Sequence, residues 1–439
     1  MDSHLKNRIF SGALWSAFGG GLASFLMLLG GFFVARILGV QEFGEYSLIR
    51  STSNTLVLIA GLSLGLGASK YVAQYRDIDI GRSAEIIAAS RATALIGGFF
   101  VSSLLLINAD AISIRLFGSM DRHLEIYILA LICLLASISG AQSGALSGFE
   151  EFKKLALARV ITAILALPLM IMGSYYYGLL GALLGLLANS FLSCAMYFAL
   201  LKLVFNKHSL KSKYLTNLAD LIFLFKFTLP VSIGSYLVVP VVWICNLMLV
   251  DIHPKGLSEL GIFEAANQFK VAILFVPSLV VQTVIPILSN YLSKSNSGEF
   301  DSIIKYQLML NIGTTTLLAI PIIFFGEYFM GFYGDDFDVG AQVASILAFT
   351  AILSSVAYVT GQVIITAGNP WHGAVMNFGW AIILLSLTYI LLQTGLGAMA
   401  LAYSNLGAYI CLSLFQLIYV IIVSKQKNKS SENSIHLPS

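Results

Sequence analysis

The sequence predicts an all-α polytopic membrane protein with twelve transmembrane helices arranged as two halves of six. Composition is the first observation: the chain is 58% hydrophobic and 11% charged, with a mean hydropathy of +0.86, whereas a soluble domain carries roughly 25% charged residues. The second is a series of long apolar runs separated by short loops. The third is a short repeat that relates the two halves of the chain.

Twelve apolar segments are long enough to cross a bilayer, since about 20 helical residues span its hydrocarbon core. The first follows Lys6 and Arg8, is too long for a signal peptide and lacks a clear small-residue cleavage site, so we expect it to stay uncleaved. In chain order the segments cover residues 11–36, 46–69, 84–107, 124–146, 155–173, 179–201, 221–250, 262–290, 303–326, 340–366, 372–393 and 397–423.

The basic residues predict the orientation of these segments. With the N-terminus in the cytoplasm, 17 Lys and Arg residues fall in the inside segments and 4 in the outside segments. Cytoplasmic loops of membrane proteins carry an excess of Lys and Arg. Both termini are therefore expected in the cytoplasm.

A repeat predicts the domain organisation. Glu42–Leu48 resembles Glu259–Ala265 at an offset of 217 residues, and Gln142–Gly148 resembles Gln362–Gly368 at an offset of 220. Parallel repeats of this kind occur in transporters that hold their substrate between the two halves. We expect an N-terminal bundle over residues 1–201, a cytoplasmic linker over 202–220, a C-terminal bundle over 221–424 and a cytoplasmic tail over 425–439.

Several classes of protein are disfavoured. The four cysteines lie in different apolar segments, the histidines show no metal-ligand spacing, and no phosphate-binding loop or nucleophile motif occurs, so we expect neither an enzyme nor a metal or other cofactor. No basic block suited to nucleic acid is present. The glycines of Gly61–Gly67, and Gly140, Gly144 and Gly148, are typical of close helix packing.

Charged residues inside or at the margins of the apolar segments are the candidate functional groups, because a charge at bilayer depth is costly and usually functional. They are four cations and one acid: Arg50, Arg91, Lys226, Lys270 and Glu264. The excess of positive charge suggests an anionic ligand. Each cation also has a simpler interpretation, in which its long side chain reaches back to the membrane interface. This interpretation fits Lys226 best and Lys270 least.

Neighbouring polar side chains extend the candidate site. Asn54 lies one turn beyond Arg50 on the same helical face. Asn267 and Gln268 lie one turn from Glu264. The predicted substrate-binding residues are therefore Lys270, Arg50, Arg91, Asn54, Glu264, Asn267 and Gln268.

Five stretches of the chain form a recognisable pattern by their order and spacing: Ala35–Leu48, Gly61–Arg76, Gly144–Phe152, Gly261–Phe269 and Ile285–Ser289. The pattern is similar to that of bacterial polysaccharide-export proteins, and the resemblance covers nearly the whole chain. These proteins are the O-antigen and related lipid-linked oligosaccharide flippases of the multidrug/oligosaccharidyl-lipid/polysaccharide superfamily. Glu264 departs from the family pattern, because that pattern leads us to expect a small polar residue at this position.

The resemblance implies a location in the bacterial cytoplasmic (inner) membrane and two six-helix bundles around a central cavity. It also implies flipping of an undecaprenyl-pyrophosphate-linked oligosaccharide, such as an O-antigen repeat unit for lipopolysaccharide biosynthesis, from the cytoplasmic to the periplasmic leaflet. The expected partners are that substrate and membrane lipid, together with a glycan polymerase and a chain-length regulator; no nucleic acid is expected.

Two alternatives stay open at this point. A cation-coupled multidrug exporter of the same superfamily would carry an acid in the first segment, but residues 11–35 contain none, and a cationic interior would repel the cations such exporters usually carry. A membrane enzyme such as a glycan polymerase would need a long external loop with catalytic charges, and the external loops are short.

Overall fold

The structure is a computed structural model that describes residues 3–61, 64–117, 122–208, 237–293, 297–366 and 370–435. Every regular element in these ranges is helical. The chain divides into two compact units, Met1–Trp243 and Ile244–Ser439. The predicted linker lies mostly outside the described residues, as do Lys226 and the first part of the seventh predicted segment.

The described residues of the first unit form six helices before α7, and some of these helices contain two predicted spans. In α1 and α6 a single run of helix covers two of the segments expected from hydropathy. The six helices are α1 (Ser3–Gly61), α2 (Leu64–Tyr75), α3 (Ile80–Ile107), α4 (Ala109–Phe117), α5 (His123–Gly148) and α6 (Phe152–Lys207).

The second unit begins within α7, and its longer helices follow the predicted segments closely. A short 3-10 helix over Asp335–Gly340 precedes the fifth of its helices. The α-helices in the described part of this unit are α7 (Val238–Ile252), α8 (Gly256–Ser293), α9 (Ser297–Phe324), α10 (Gly326–Gly331), α11 (Ala341–Thr366), α12 (Pro370–Leu392) and α13 (Gly397–Ile435).

The length and composition of the helices identify the chain as a multi-pass membrane protein. Within the described ranges, nine helices are long and apolar enough to cross a membrane, and α7 is a shorter apolar helix. Two of the nine, α1 and α6, are long enough for two crossings each, at 59 and 56 residues. The predicted all-α membrane fold is confirmed, while the total of twelve spans stays a prediction.

Glycine permits the change of direction inside both long helices. Gly39 in α1 has φ 72° and ψ 178°, and Gly178 in α6 has φ 56° and ψ −136°. Side chains disfavour positive φ, so glycine is the usual residue there. Beyond Gly178 the two parts of α6 pack on each other so closely that a Cβ built on Gly181 would lie 1.8 Å from the Gly173 carbonyl oxygen.

The glycine-rich stretch of α2 packs against the glycine stripe of α5. A Cβ on Gly144 would lie 2.1 Å from the carbonyl oxygen of Gly65, and a Cβ on Gly148 would lie 2.7 Å from the Cβ of Val72. Gly140 has no such neighbour within 4 Å. The predicted close-packing role thus applies to Gly144 and Gly148, because only small residues let two helix backbones approach this closely.

A glutamate caps the last long helical segment of each unit. The Leu179 N–H donates to the Glu42 carboxylate at 3.2 Å, and the Ala398 N–H donates to the Glu259 carboxylate at 2.6 Å. The free N–H groups and positive dipole at a helix start favour a carboxylate. Glu42 and Glu259 are the first residues of the two copies of the sequence repeat, so the repeated motif makes the same contact in both units.

Arg76 joins the chain beyond α2 to the end of α5. Its guanidinium donates to the Gly148 carbonyl oxygen at 2.9 Å and to the Glu150 carboxylate at 2.5 Å. Burial alone would lower the pKa of Arg76, but the hydrogen bond and charge of Glu150 outweigh it and raise that pKa above its ordinary value. Arg76 therefore stays charged, and this contact joins two of the stretches that carry the family resemblance.

Candidate functional site

Lys270 is held inside the second unit by neutral groups. Its side chain is buried in α8, with 8% of the residue exposed. The ammonium donates to the Asn405 Oδ1 at 3.3 Å and lies 4.7 Å from the centre of the Tyr409 ring. Residues four apart share one face of a helix, so a single turn of α13 supplies both contacts. Amide and ring stabilise the charge without cancelling it.

Glu264 is the buried acid on the same helix. It is 6% exposed, and the Asn246 amide of α7 donates to its Oε1 at 3.3 Å. Asn246 is fully buried, and its own Oδ1 accepts no hydrogen bond within the described part of the chain. Glu264 is close enough for its charge to act on Lys270. The acid and the cation therefore belong to one electrostatic cluster.

Gln268 continues this cluster toward the 3-10 helix. It is 6% exposed, and the Tyr333 hydroxyl donates to its Oε1 at 3.3 Å. Its Nε2 donates to no described residue. Asn267, the next residue back along the chain, is half-buried. A buried amide with an unused donor is costly unless water or a ligand accepts from it.

Other neutral polar contacts join helices of the second unit. The Thr360 hydroxyl donates to the Gln416 Oε1 at 2.7 Å. Ser413 donates to the Leu353 carbonyl oxygen at 3.0 Å. Since buried polar groups are unfavourable in hydrocarbon without partners, these pairs place polar side chains toward protein rather than lipid. The interior of this unit is thus polar on several helices.

Arg50 lies over a buried tyrosine in the first unit. Its guanidinium carbon is 5.8 Å from the centre of the Tyr46 ring, one turn earlier in α1. Tyr46 is 1% exposed, Arg50 is half-buried and Asn54 is exposed. The predicted polar face of this helix thus runs from a buried end at Ser47 to an open end at Asn54.

Arg91 packs on the second part of α6. Its guanidinium carbon lies 5.3 Å from the centre of the Phe198 ring. One turn earlier in α6, Cys194 lies within the electrostatic influence of Arg91 and close to the buried Gln142 of α5. Arg91 itself is half-buried. Three helices of the first unit therefore meet around this cation.

The described cations share one feature. Arg50, Arg91 and Lys270 each lie over an aromatic ring. Such contacts contribute about 0.5–2 kcal/mol depending on desolvation. A ring face attracts the cation but removes none of its charge, so an anion can still be bound.

The predicted site residues fall into separate groups. Lys270, Glu264, Asn267 and Gln268 lie on successive turns of α8, with Lys270, Glu264 and Gln268 buried in the second unit. Arg50 and Asn54 lie on α1 and Arg91 on α3, in the first unit. Lys226 lies outside the described residues.

Sequence reasoning missed the residues that position these groups. Asn246, Asn405 and Tyr409 are uncharged and lie within apolar runs, so a search for buried charges passes over them. The signal that could have found them is an amide inside an apolar segment, because such amides must be hydrogen-bonded in a membrane.

Two acids of the first unit, Glu45 and Glu125, form ion pairs with Arg122. Glu45 forms an ion pair with Arg122 at 3.3 Å, and Arg122 also contacts Glu125 at 2.9 Å. Burial would lower the pKa of Arg122, but Glu125 and Glu45 raise it.

Across the described ranges, no group of three or more His, Cys, Asp or Glu residues could hold a metal ion.

Comparison with known proteins gives the relatives of this chain. The family model described as polysaccharide biosynthesis protein matches residues 9–292. The EPS I polysaccharide export inner membrane protein EpsE of Ralstonia nicotianae is 24% identical over 391 residues, covering 88% of this chain and 87% of that protein. The probable low-salt glycan biosynthesis flippase Agl15 of Haloferax volcanii is 27% identical over 167 residues, 37% of this chain and 34% of that protein.

Solved structures with the same fold are transporters. An inward-facing multidrug-resistance transporter of the MATE family, in the MOP superfamily, superposes with a TM-score of 0.79 at 15% identity, covering 92% of this chain and 96% of that one. A MOP superfamily transporter from Pyrococcus furiosus, described as having a binding pocket of reversed polarity, superposes with a TM-score of 0.66 at 15% identity. The superposition covers 94% of this chain and 96% of that one.

These comparisons decide two expectations. The relatives are export proteins, flippases and transporters rather than enzymes, so the expectation that the chain is not an enzyme is confirmed. The predicted resemblance is confirmed as well, because the family model covers well over half of the 439 residues. The chain belongs to the polysaccharide biosynthesis protein family of membrane proteins.

Proposed function

We propose that this protein is an alternating-access flippase for an undecaprenyl-pyrophosphate-linked oligosaccharide, an O-antigen or related repeat unit, moving it from the cytoplasmic to the periplasmic leaflet. The observation that carries the proposal is Lys270, a buried cation at membrane depth whose described contacts are an amide and an aromatic ring. The names of the export and flippase relatives support a glycan-linked substrate.

The chemistry of such a substrate suits these residues. Pyrophosphate is a dense anion and its sugars are polar, so neither part crosses hydrocarbon unaided. Charge-assisted hydrogen bonds from Lys and Arg replace the lost hydration of a phosphate. Buried amides, among them Gln268 with its unused Nε2, offer further donors. In this proposal Lys270 binds the pyrophosphate, while Arg50 and Arg91, with Asn54, Glu264, Asn267 and Gln268, complete the binding residues.

Location and partners follow from the same proposal. The protein lies in the bacterial inner membrane with both termini in the cytoplasm, and the bundles 1–201 and 221–424 move so that the substrate gains access to each leaflet in turn. A glycan polymerase and a chain-length regulator receive the flipped repeat unit on the periplasmic side. The inner-membrane assignment of EpsE supports this location.

A cation-coupled multidrug exporter is the second candidate, favoured by the likeness in fold to MATE transporters. Two observations oppose it. The nearest acids after the first span already have protein partners: Glu42 caps a helix, and Glu45 forms an ion pair with Arg122. Neither carboxylate is therefore suited to bind a coupling ion. The described cations in the spans would also repel a cationic drug.

The test is a complementation experiment in a bacterial host that lacks its own flippase. Lys270→Ala is expected to abolish the surface glycan ladder at normal membrane levels of the protein, and Arg50→Ala or Arg91→Ala to reduce it. Lys255→Ala is the matched control, since Lys255 is exposed just before α8. A wild-type ladder from Lys270→Ala would overturn the role of this residue.

A further inference from the structure

A groove between the last two helices of the second unit has no role in the site described so far. It encloses about 400 Å³ between α12 and α13. Its walls include Gly379, Trp380 and Ile383 on one helix and Leu412, Phe415 and Ile418 on the other. The lining is almost wholly apolar, and Phe415 and Ile418 are more than half exposed. A groove of this chemistry suits a hydrocarbon chain.

Two aromatic rings connect this groove to Lys270. Trp380 is 3% exposed at the base of the groove, and its ring centre lies 5.8 Å from that of Tyr409 in an edge-to-face arrangement. The Lys270 ammonium lies 4.7 Å from the centre of the same Tyr409 ring. The apolar groove and the cation therefore lie close to each other in one unit, with the Trp380 and Tyr409 rings between them.

The position of Lys270 within the membrane indicates which kind of lipid can bind in the groove. Lys270 lies about 21 Å along α8 from Gly256, at 1.5 Å per residue, in a helix that continues to Ser293, so it lies well inside a hydrocarbon core of about 30 Å. An ordinary phospholipid keeps its phosphate at the interface and its chain ends at mid-depth, so it presents no anion to Lys270. A prenyl pyrophosphate in transit has its anion at mid-depth, with the hydrocarbon chain attached directly to it.

We propose that the groove between α12 and α13 binds the polyprenyl chain of the substrate while its pyrophosphate is at Lys270. This inference rests on the proposed function and adds a second binding site to it. The chain then stays in a protein groove during transfer, and the anion and the hydrocarbon are recognised together.

Gly379 supplies a variant that fills the groove without disturbing the protein. A Cβ built on it meets no atom within 4 Å, and the same holds for Gly313 on α9. Both are helical glycines, where a side chain costs no helix propensity. Gly379→Leu therefore occupies the groove, and Gly313→Leu is a matched control at an open position elsewhere in the same unit.

The experiment uses the full-length protein in liposomes and a polyprenyl pyrophosphate carrying a photoreactive group on its chain. We expect labelling within residues 375–383 and 412–422, competition by unlabelled polyprenyl pyrophosphate, and a roughly tenfold loss of labelling in Gly379→Leu, equivalent to about 1.4 kcal/mol. Gly313→Leu should label like the wild type. Lys270→Met should also weaken labelling, because it removes the site for the anion.

Other results separate this inference from the proposed function. Labelling of the groove by a photoreactive phospholipid, without competition by polyprenyl pyrophosphate, would assign the groove to bulk lipid and overturn the inference. Glycolipid flipping with competed labelling at other helices would also overturn it and leave the flippase intact. Competed labelling of the groove in a protein that flips no glycolipid would support the groove and contradict the flippase.

Discussion

At the scale of single residues, the contacts of Lys270 determine what it can bind. A carboxylate in contact would neutralise the ammonium, whereas Asn405 and Tyr409 hold it through an amide oxygen and a ring face. Glu264 acts on it from elsewhere on the same helix and is itself bound by Asn246. The arrangement leaves a positive site that an anionic group can complete.

Asn405→Asp tests this idea while leaving Lys270 in place. The new carboxylate would lie at hydrogen-bond distance from the ammonium and form an ion pair with it. We expect the variant to lose binding of polyprenyl pyrophosphate as fully as Lys270→Met, with thermal stability at or above the wild type. Ligand binding to purified protein and thermal unfolding in detergent measure the two quantities.

Asn405→Leu is the control for this prediction. It removes the hydrogen bond but adds no negative charge, so it should bind more tightly than Asn405→Asp. Equal binding by Asn405→Asp and the wild type would show that the charge of Lys270 does not contact the ligand.

At the scale of helices, the two glutamate caps fix where the last long segment of each unit begins. A side-chain cap contributes typically about 1 kcal/mol, within a range of about 0.5–2 kcal/mol. We expect Glu42→Ala and Glu259→Ala each to lower the midpoint of thermal unfolding, and the Gln variants to lower it less, because an amide oxygen still accepts from the N–H. Glu327→Ala, at an exposed acid of the second unit, should leave the midpoint unchanged.

Packing of α2 on α5 gives a second prediction at this scale. Gly144→Ala places a methyl group 2.1 Å from the Gly65 carbonyl oxygen, whereas Gly140→Ala meets nothing within 4 Å. Overpacking costs typically about 1–3 kcal/mol, so only Gly144→Ala should lower thermal stability and the yield of folded protein. Similar behaviour of both variants would show that the two helices do not approach as closely as described.

The helices were largely predictable because hydropathy alone locates a span. The segment predicted at 124–146 is α5 at His123–Gly148, and that predicted at 372–393 is α12 at Pro370–Leu392. The joining of spans into α1 and α6 was not predictable, since it depends on the backbone at Gly39 and Gly178. The caps depend on contacts between residues far apart in the chain, which a local pattern does not contain.

The site was predictable only in its charged members. Lys270 stands out because a cation in an apolar run is rare. Its partners Asn405 and Tyr409 have no charge, and their contact with Lys270 joins two helices that are distant in sequence. Sequence reasoning therefore identifies the group that is costly to bury and misses those that make its burial possible.

At the scale of the whole molecule, the family assignment and the cations within the spans support one proposed function. Each unit contains polar or cationic side chains within an apolar helical scaffold, as a carrier of a polar anion across hydrocarbon requires. The groove between α12 and α13 adds a site for the hydrocarbon part of the same molecule. A lipid-linked glycan combines both chemistries, whereas an organic cation has no anionic group for Lys270 to bind.

The most direct measurement is transport by the purified protein in liposomes. One assay follows movement of an undecaprenyl-pyrophosphate-linked repeat unit between leaflets, using a lectin added to one side, and a parallel assay follows uptake of an organic cation. We predict glycolipid movement by the wild type, reduced to the level of protein-free liposomes in Lys270→Met, and no cation transport by either. Cation transport by the wild type without glycolipid movement, or undiminished glycolipid movement in Lys270→Met, would contradict this account.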